Sequence, residues 1–184
     1  MVLSLIKSRR TLYPQQFNEE PISESELHVL LEATNWAPTH KKTEPWRFKV
    51  FTGDAKDALG AFLTQTYKDI TENASEFKCQ RVLEKSLRSQ CVLAVCMVRD
   101  PKGAIPEWEE IAATAMAVQN LWLTAHDMKI GGYWSSPSVK DYLHEHIQLG
   151  EGERCLGFFY LGKYDGDLPK GNRNSNYKDK ISFY

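Results

Sequence analysis

Apolar positions along the 184-residue chain recur with two periods, one near 3.6 residues and one of 2, and the switches between them mark out the elements. The spacing from Leu3 to Arg10 predicts a short amphipathic helix with Leu3 and Ile6 inward. Pro14 and Pro21 bracket a loop. From Ser23 to Asn35 a helix is well signalled: Ser23 is an N-cap, Glu26 three residues on completes a capping box, and Ile22 can staple onto Leu27. Leu27, Leu30 and Leu31 form its apolar stripe. Pro38 ends that region, because proline disfavours helical backbone in the residue before it. Trp46 to Val50 alternates apolar and polar residues, the pattern of a half-buried strand. Asp54 is the expected cap of a helix carrying Leu59, Phe62, Leu63 and Ile70, and Ser75 of another running to about Leu87. Cys91 to Val98 is continuously apolar, as in a central strand buried on both faces.

The segment Trp108 to Asp127 is the most informative. Ile111, Ala112, Ala113, Ala115, Met116, Ala117, Val118, Leu121, Trp122 and Leu123 cover nearly every side of a helix, and a helix apolar all round is a buried one. A chain of this length rarely encloses such a helix alone, so a subunit interface is expected, with the alanines permitting close approach. Gly131-Gly132 is expected to break the chain before a short strand, Tyr133 to Ser135. Ser138 with Asp141 suggests another helix start, and Arg154 to Leu161 reads as a further buried strand. The tail from Lys170 to Lys180 is polar and basic, ends in Ile181-Ser-Phe-Tyr184, and suits an arm lying over a surface. The class is α+β: a small sheet with helices on its faces.

Composition narrows the functions available. With 42% hydrophobic and 26% charged residues the chain is an ordinary globular domain, long enough for one core. A net charge of −1 offers no global field to recruit nucleic acid or anionic lipid. No apolar run approaches the roughly 20 residues of a membrane span, and the apolar stretch within Met1 to Arg10 is too short for a signal peptide, so a cytoplasmic protein is expected. The four cysteines, Cys79, Cys91, Cys96 and Cys155, form no CxxC pair and are expected as buried, reduced thiols.

Several short motifs carry possible chemistry. Ser8-Arg9-Arg10-Thr11 sets two guanidiniums beside a hydroxyl where the first helix ends, a combination that holds phosphate through charge-assisted hydrogen bonds or is simply a solvated surface pair. In the loop Ala37-Pro-Thr-His-Lys-Lys-Thr-Glu-Pro-Trp46, His40 could donate to a ring carbonyl or phosphate oxygen, and nearby Trp36 could cover a ring or join the core. Gly131-Gly-Tyr-Trp-Ser-Ser-Pro137 combines glycines that admit a flat ligand with two compact hydroxyl donors, Ser135 and Ser136. His144-Glu-His146 is no metal motif, since histidines two apart point to different sides of a helix. No GxGxxG or Walker loop is present, so a nicotinamide would have no Rossmann cradle.

Taken in order, these pieces resemble the nitroreductase family: Ser8-Arg-Arg-Thr11, Ala37-Pro-Thr-His40 with Pro45-Trp46, the helix Glu109 to Asp127 with Ala-Val-Gln-Asn120, Gly131-Gly-Tyr-Trp134-Ser-Ser, and Gly157-Phe-Phe-Tyr-Leu-Gly162. The register holds from about residue 3 to residue 163. The compact size and the APxHK-like loop are similar to the short NAD(P)H nitroreductase branch. The resemblance implies a single domain over residues 1–184 with a mostly antiparallel sheet flanked by helices. It also implies a central helix buried at a homodimer interface, an arm over 164–184 lying on the partner, and a non-covalent FMN in a site shared by both subunits.

By position in the family, Arg9, Arg10 and Thr11 would contact the phosphate, ribityl chain or pyrimidine end of FMN. Trp36 and His40 would reach the partner's FMN, and Trp134, Ser135 and Ser136 would line the ring and its phosphate side. Arg173 matches a family arginine near the phosphate loosely. Arg9, Arg10 and Lys42 are the candidates for positive charge near flavin N1 and O2. Many relatives carry asparagine or serine at Lys42 and glutamine at Glu44, and short-branch relatives often have arginine at Trp36 and Ser135, so this chain brings fewer charges to the flavin. The implied activity is hydride transfer from NAD(P)H to flavin, then two electrons to a nitroaromatic, quinone or similar small acceptor by a ping-pong mechanism, with protons from solvent. No metal, nucleic acid or membrane is expected to take part. The alternative is a flavin-binding carrier or sensor dimer without physiological reductase activity.

Overall fold

The computed structural model describes residues 2–184. The elements run α1 (Val2–Ser8), α2 (Glu24–Thr34), β1 (Trp46–Thr52), α3 (Gly53–Ile70), α4 (Glu76–Leu87), β2 (Cys91–Val98), α5 (Glu107–Asp127), β3 (Ile130–Ser135) and β4 (Glu153–Lys163). Short 3-10 turns lie at Pro14–Gln16, His40–Lys42, Ser138–Glu145 and Tyr177–Lys180. The four strands form one sheet in the order β1-β2-β4-β3, every ladder antiparallel.

The sheet is covered on both faces, which is why β2 and β4 read as unbroken apolar runs. Strand side chains alternate between faces. Val92, Ala94, Cys96, Phe158 and Tyr160 pack on one face with α3 and the 138–145 turn. Cys91, Leu93, Val95, Phe159 and Leu161 pack on the other with Leu30 of α2 and Val118 and Leu121 of α5. The expected capping box exists: Glu26 N–H donates to Ser23 Oγ over 3.2 Å, and Ser23 N–H to Glu26 Oε2 over 2.7 Å. Ser75 caps α4 as expected, whereas the cap of α3 is Thr52, and Asp54 instead sits in the first turn, where a carboxylate complements the helix dipole.

Other expectations are corrected. Leu3 and Ile6 do not face inward but stay 60% and 43% exposed, because α1 turns this stripe away from its own core. The 138–145 segment is 3-10 rather than α-helical, and its cap is Pro137. Gly131 and Gly132 do not break the chain; they lie inside β3. The reason is crowding rather than turning: a Cβ on Gly132 would sit 2.6 Å from the Phe159 ring, and one on Gly131 2.9 Å from both Leu12 and Phe17.

Within α5 the buried side is Ala113, Thr114, Ala117, Val118, Leu121 and Ala125, together with fully buried Glu110. Glu110 is tolerated because it pairs with Arg99 (2.5 Å) and accepts from the backbone N–H of Asp100 (2.8 Å). Trp108, Ile111 and Met116 remain exposed on the opposite side.

All four cysteines are buried and free. Cys96 and Cys155 are cross-strand partners beside a bulge. Their mutual hydrogen bond holds the Cys155 thiol below its ordinary value and raises that of Cys96, while burial pushes Cys91 up to about 12. Because all four are buried, Cys155 included, native protein should resist a thiol-titrating disulfide reagent at neutral pH and expose four reactive thiols only on unfolding. Gly132→Ala should cost about 1–3 kcal/mol of stability through overpacking against Phe159, measured as a fall in the urea midpoint.

Candidate functional site

The chain leaves α1 at Ser8 and runs along the β3 edge, where the Leu12 N–H donates to the Gly132 carbonyl over 3.2 Å. This lays Arg9 against α5, its guanidinium carbon 4.1 Å from the centre of the Trp122 ring. The Arg9 Nη1 atom is buried and has no hydrogen-bond partner. Burial first, then the charges of Arg173 and Arg10, hold the Arg9 pKa below its ordinary value.

Arg10 does different work. Its Nε donates to the Pro169 carbonyl, and its Nη1 to the carbonyls of Lys7 and Arg9, each over 2.8 Å. Gly171 lies so close that any side chain there would collide with the Arg10 guanidinium. Arg10 thus clamps the tail and keeps Lys170 and Arg173 beside α1, around a cavity of about 470 Å³. Among the described residues no ion pair reaches Arg9, Arg10 or Arg173. Three neighbouring guanidiniums, one with an unpartnered buried N–H, could hold a multiply charged oxyanion. Thr11 is exposed and follows directly in the chain.

Trp134 and Ser135 on β3 are half-buried, and Ser136 is exposed. Trp134 Nε1 is a second buried donor without a partner, and only the absence of a Cβ on Gly157, 2.9 Å from it, leaves it room. On the other face of β3, Tyr133 meets Tyr13 (ring centres 4.8 Å apart), and the Lys85 ammonium lies 5.4 Å from the Tyr133 ring. With Tyr67, Lys78 and Arg81 they surround a cavity of about 260 Å³ lined by no acidic residue. Sequence reasoning missed this pocket. Its signal was the 78, 81, 85 spacing of cations on one face of α4, a pattern that a solvated helix face also produces.

The remaining sequence candidates lie at the opposite end of α5. His40 Nδ1 is 2.5 Å from Glu109 Oε2, Trp36 is 78% exposed, and Lys42 is exposed in a loop where Lys41, Lys42 and Glu44 all take positive φ. Glu109 and Trp122 are 13 residues apart, which is about 20 Å along a helix. One chain therefore brings Arg9, Arg10 and Arg173 together and keeps Trp36, His40 and Lys42 apart from them. Arg10→Ala should release the tail: trypsin cleavage after Lys170 or Arg173 should accelerate severalfold with little change in melting temperature.

Comparison with known proteins bears on the family and the fold. A profile of the Nitroreductase family matches residues 6–163. A Bacillus subtilis (strain 168) protein named as a candidate NAD(P)H nitroreductase, YfhC, is 27% identical over 185 residues, covering 97% of this chain and 91% of that protein. A nitroreductase-like family protein of Bacillus cereus superposes with a TM-score of 0.85 at 27% identity, covering 100% of this chain and 96% of that one. A candidate nitroreductase of Desulfovibrio desulfuricans, solved in complex with FMN, shares the fold with a TM-score of 0.74 at 19% identity, covering 100% and 96%. With the family profile spanning most of its length, the chain belongs to the nitroreductase family.

Proposed function

We propose that the protein is a homodimeric, FMN-dependent NAD(P)H oxidoreductase whose non-covalent flavin is held by residues of both subunits. The observation that carries this reading is the unpartnered Arg9 Nη1 among three guanidiniums that no ion pair reaches among the described residues. Such a cluster is costly unless an anion answers it, and FMN ends in a phosphate. Family membership points the same way.

Bound FMN would supply hydride acceptance from NAD(P)H and two-electron delivery to a nitroaromatic, quinone or similar acceptor, the two halves alternating at one site in a ping-pong cycle. Arg9, Arg10 and Arg173 would hold the phosphate, with the Thr11 hydroxyl at their side. Trp134, Ser135 and Ser136 would flank the ring, the serines as compact donors. Lys78, Arg81 and Lys85, across β3, are better set than Lys42 to favour negative charge building up near Tyr13 and Tyr133. Protons would come from solvent, as no general acid is required of the chain.

The length of α5 supports the dimer. Two copies of the helix packed antiparallel about a two-fold axis would bring the Trp36, His40 and Lys42 end of one subunit to the Arg9 and Trp122 end of the other. Exposed Trp108, Ile111 and Met116 are the apolar surface such packing would bury, and the exposed 181–184 end of the tail suits an arm on the partner. No helix among the described residues is long and apolar enough to cross a membrane, and four reduced thiols suit the cytoplasm.

Chromatography of the released chromophore should find one FMN per chain, and anaerobic NADH or NADPH should bleach it; FAD, or a colourless folded dimer, refutes the reading. Arg9→Ala should weaken FMN by about 30-fold or more, the loss of about 2 kcal/mol expected for one charge-assisted contact, with melting of the apoprotein near that of wild type. Ala115→Glu should dissociate the dimer and release flavin together. Ala117 is fully buried in its own chain's core, so its substitution would test folding instead. A monomer by light scattering that stays yellow contradicts the shared site.

A further inference from the structure

His126, in the last turn of α5, takes no part in the scheme above, yet it sits beside the arginine cluster. Its Nε2 lies 2.7 Å from Ser8 Oγ, and the same hydroxyl donates to the Leu5 carbonyl over 3.1 Å. A hydroxyl has one proton. With that proton on the Leu5 carbonyl, Oγ can only accept from the ring, so Nε2 keeps its hydrogen and Nδ1 is the free basic nitrogen.

The pair borders a cavity of about 500 Å³. The charged groups around His126 are Arg9, which acts on the ring without lining the cavity, and, lining it, Arg10 from the segment after α1, Asp127 and Lys129 from the end of α5, and Asp167 and Lys170 from the tail, with Tyr164 as a neutral neighbour. Four cations thus oppose two carboxylates. The His126 pKa lies below its ordinary value through burial first, then Arg9 and Arg10, with Asp127 opposing.

We propose that His126 is a proton-coupled positioning residue of the phosphate site: its imidazole is neutral when the arginine cluster stands alone and takes up a proton at Nδ1 when a phosphate binds beside Arg9 and Arg10, with Ser8 fixing the tautomer. The inference rests on reading that cluster as the phosphate site. A phosphate dianion reverses the local field, so the imidazolium becomes the favoured form. The sign follows from linkage. The pKa is low without the anion and higher with it, so binding takes up a proton between the two values, and His126 strengthens binding as pH falls through that window. Each unit of difference is a tenfold gain in affinity.

The test is FMN affinity of the full-length dimer by flavin fluorescence quenching between about pH 5.5 and 8.5, for wild type and His126→Gln, with riboflavin as the phosphate-free probe and proton uptake by calorimetry in two buffers. The phosphate's own ionisation near pH 6 affects both proteins alike, so the ratio of their dissociation constants isolates His126. That ratio should be about tenfold at pH 5.5 and approach one at pH 8.5, with more protons taken up by wild type near neutrality and no such trend for riboflavin. Ser8→Ala, which keeps the ring, should weaken FMN about threefold at low pH alone. A ratio independent of pH, or equal proton uptake, overturns the proposal while leaving the phosphate site intact. If wild type binds FMN no better than riboflavin at any pH, the phosphate site itself fails, and the role of His126 with it.

Discussion

Arg9 rests on Trp122, and the rest of the site is arranged by that contact. The stack fixes a guanidinium against a half-buried aromatic face at one end of α5, where its stem is packed and its Nη1 is cut off from water. Desolvation raises the cost of the charge, and Arg10 and Arg173 raise it further. The chain spends other interactions on keeping those charges close: three backbone carbonyls hold Arg10, and Gly171 allows the tail to pass against it. Such an arrangement stores repulsion that a bound anion would relieve, and this distinguishes it from a solvated arginine pair, which would spread into water.

The second constraint is the length of α5. Its first turns carry the Glu109 partner of His40, and its later turns carry Trp122, the Arg9 platform. Its core-facing side is interrupted by buried Glu110, and its outer side leaves a tryptophan, an isoleucine and a methionine exposed. A helix so long cannot bring its two ends to one small ligand by itself. Residues from both ends meet only if another copy supplies one of them, and this ties any site built from all the sequence candidates to the quaternary structure.

Much of the fold was legible because its signals are local. The Ser23 and Glu26 capping box, the Ser75 cap and the apolar runs of β2 and β4 are each decided within a few residues. What was misread depends on distant neighbours. Gly131-Gly132 looks like a turn in isolation, but Phe159, Leu12 and Phe17 make glycine obligatory inside a strand. The Leu3 and Ile6 stripe was read correctly as a stripe, but a pattern does not say whose core it joins. In the site, the Arg9-Arg10 pair was visible as adjacent residues. That Arg10 also clamps the tail was not, because Pro169 and Gly171 lie some 160 residues away. The link from His40 to Glu109 and the pocket of Tyr13, Tyr133 and Lys85 are equally non-local.

The location of the cluster also explains its composition. Carboxylates open α5, with Glu107, Glu109 and Glu110 in the first turn, and His126 lies in the last, so the charges follow the helix dipole. The C-terminal end of a helix carries a partial negative charge. That favours cations gathering there and lowers the cost of holding Arg9, Arg10 and His126 close together. The same partial charge disfavours an anion. A phosphate at this end gains nothing from backbone N–H groups of the kind that cradle it at a helix N-terminus, so its binding energy must come from side chains. Three arginines and a clamp on the tail that carries one of them would supply it where the helix dipole points the wrong way, and the proton uptake proposed for His126 would add to it.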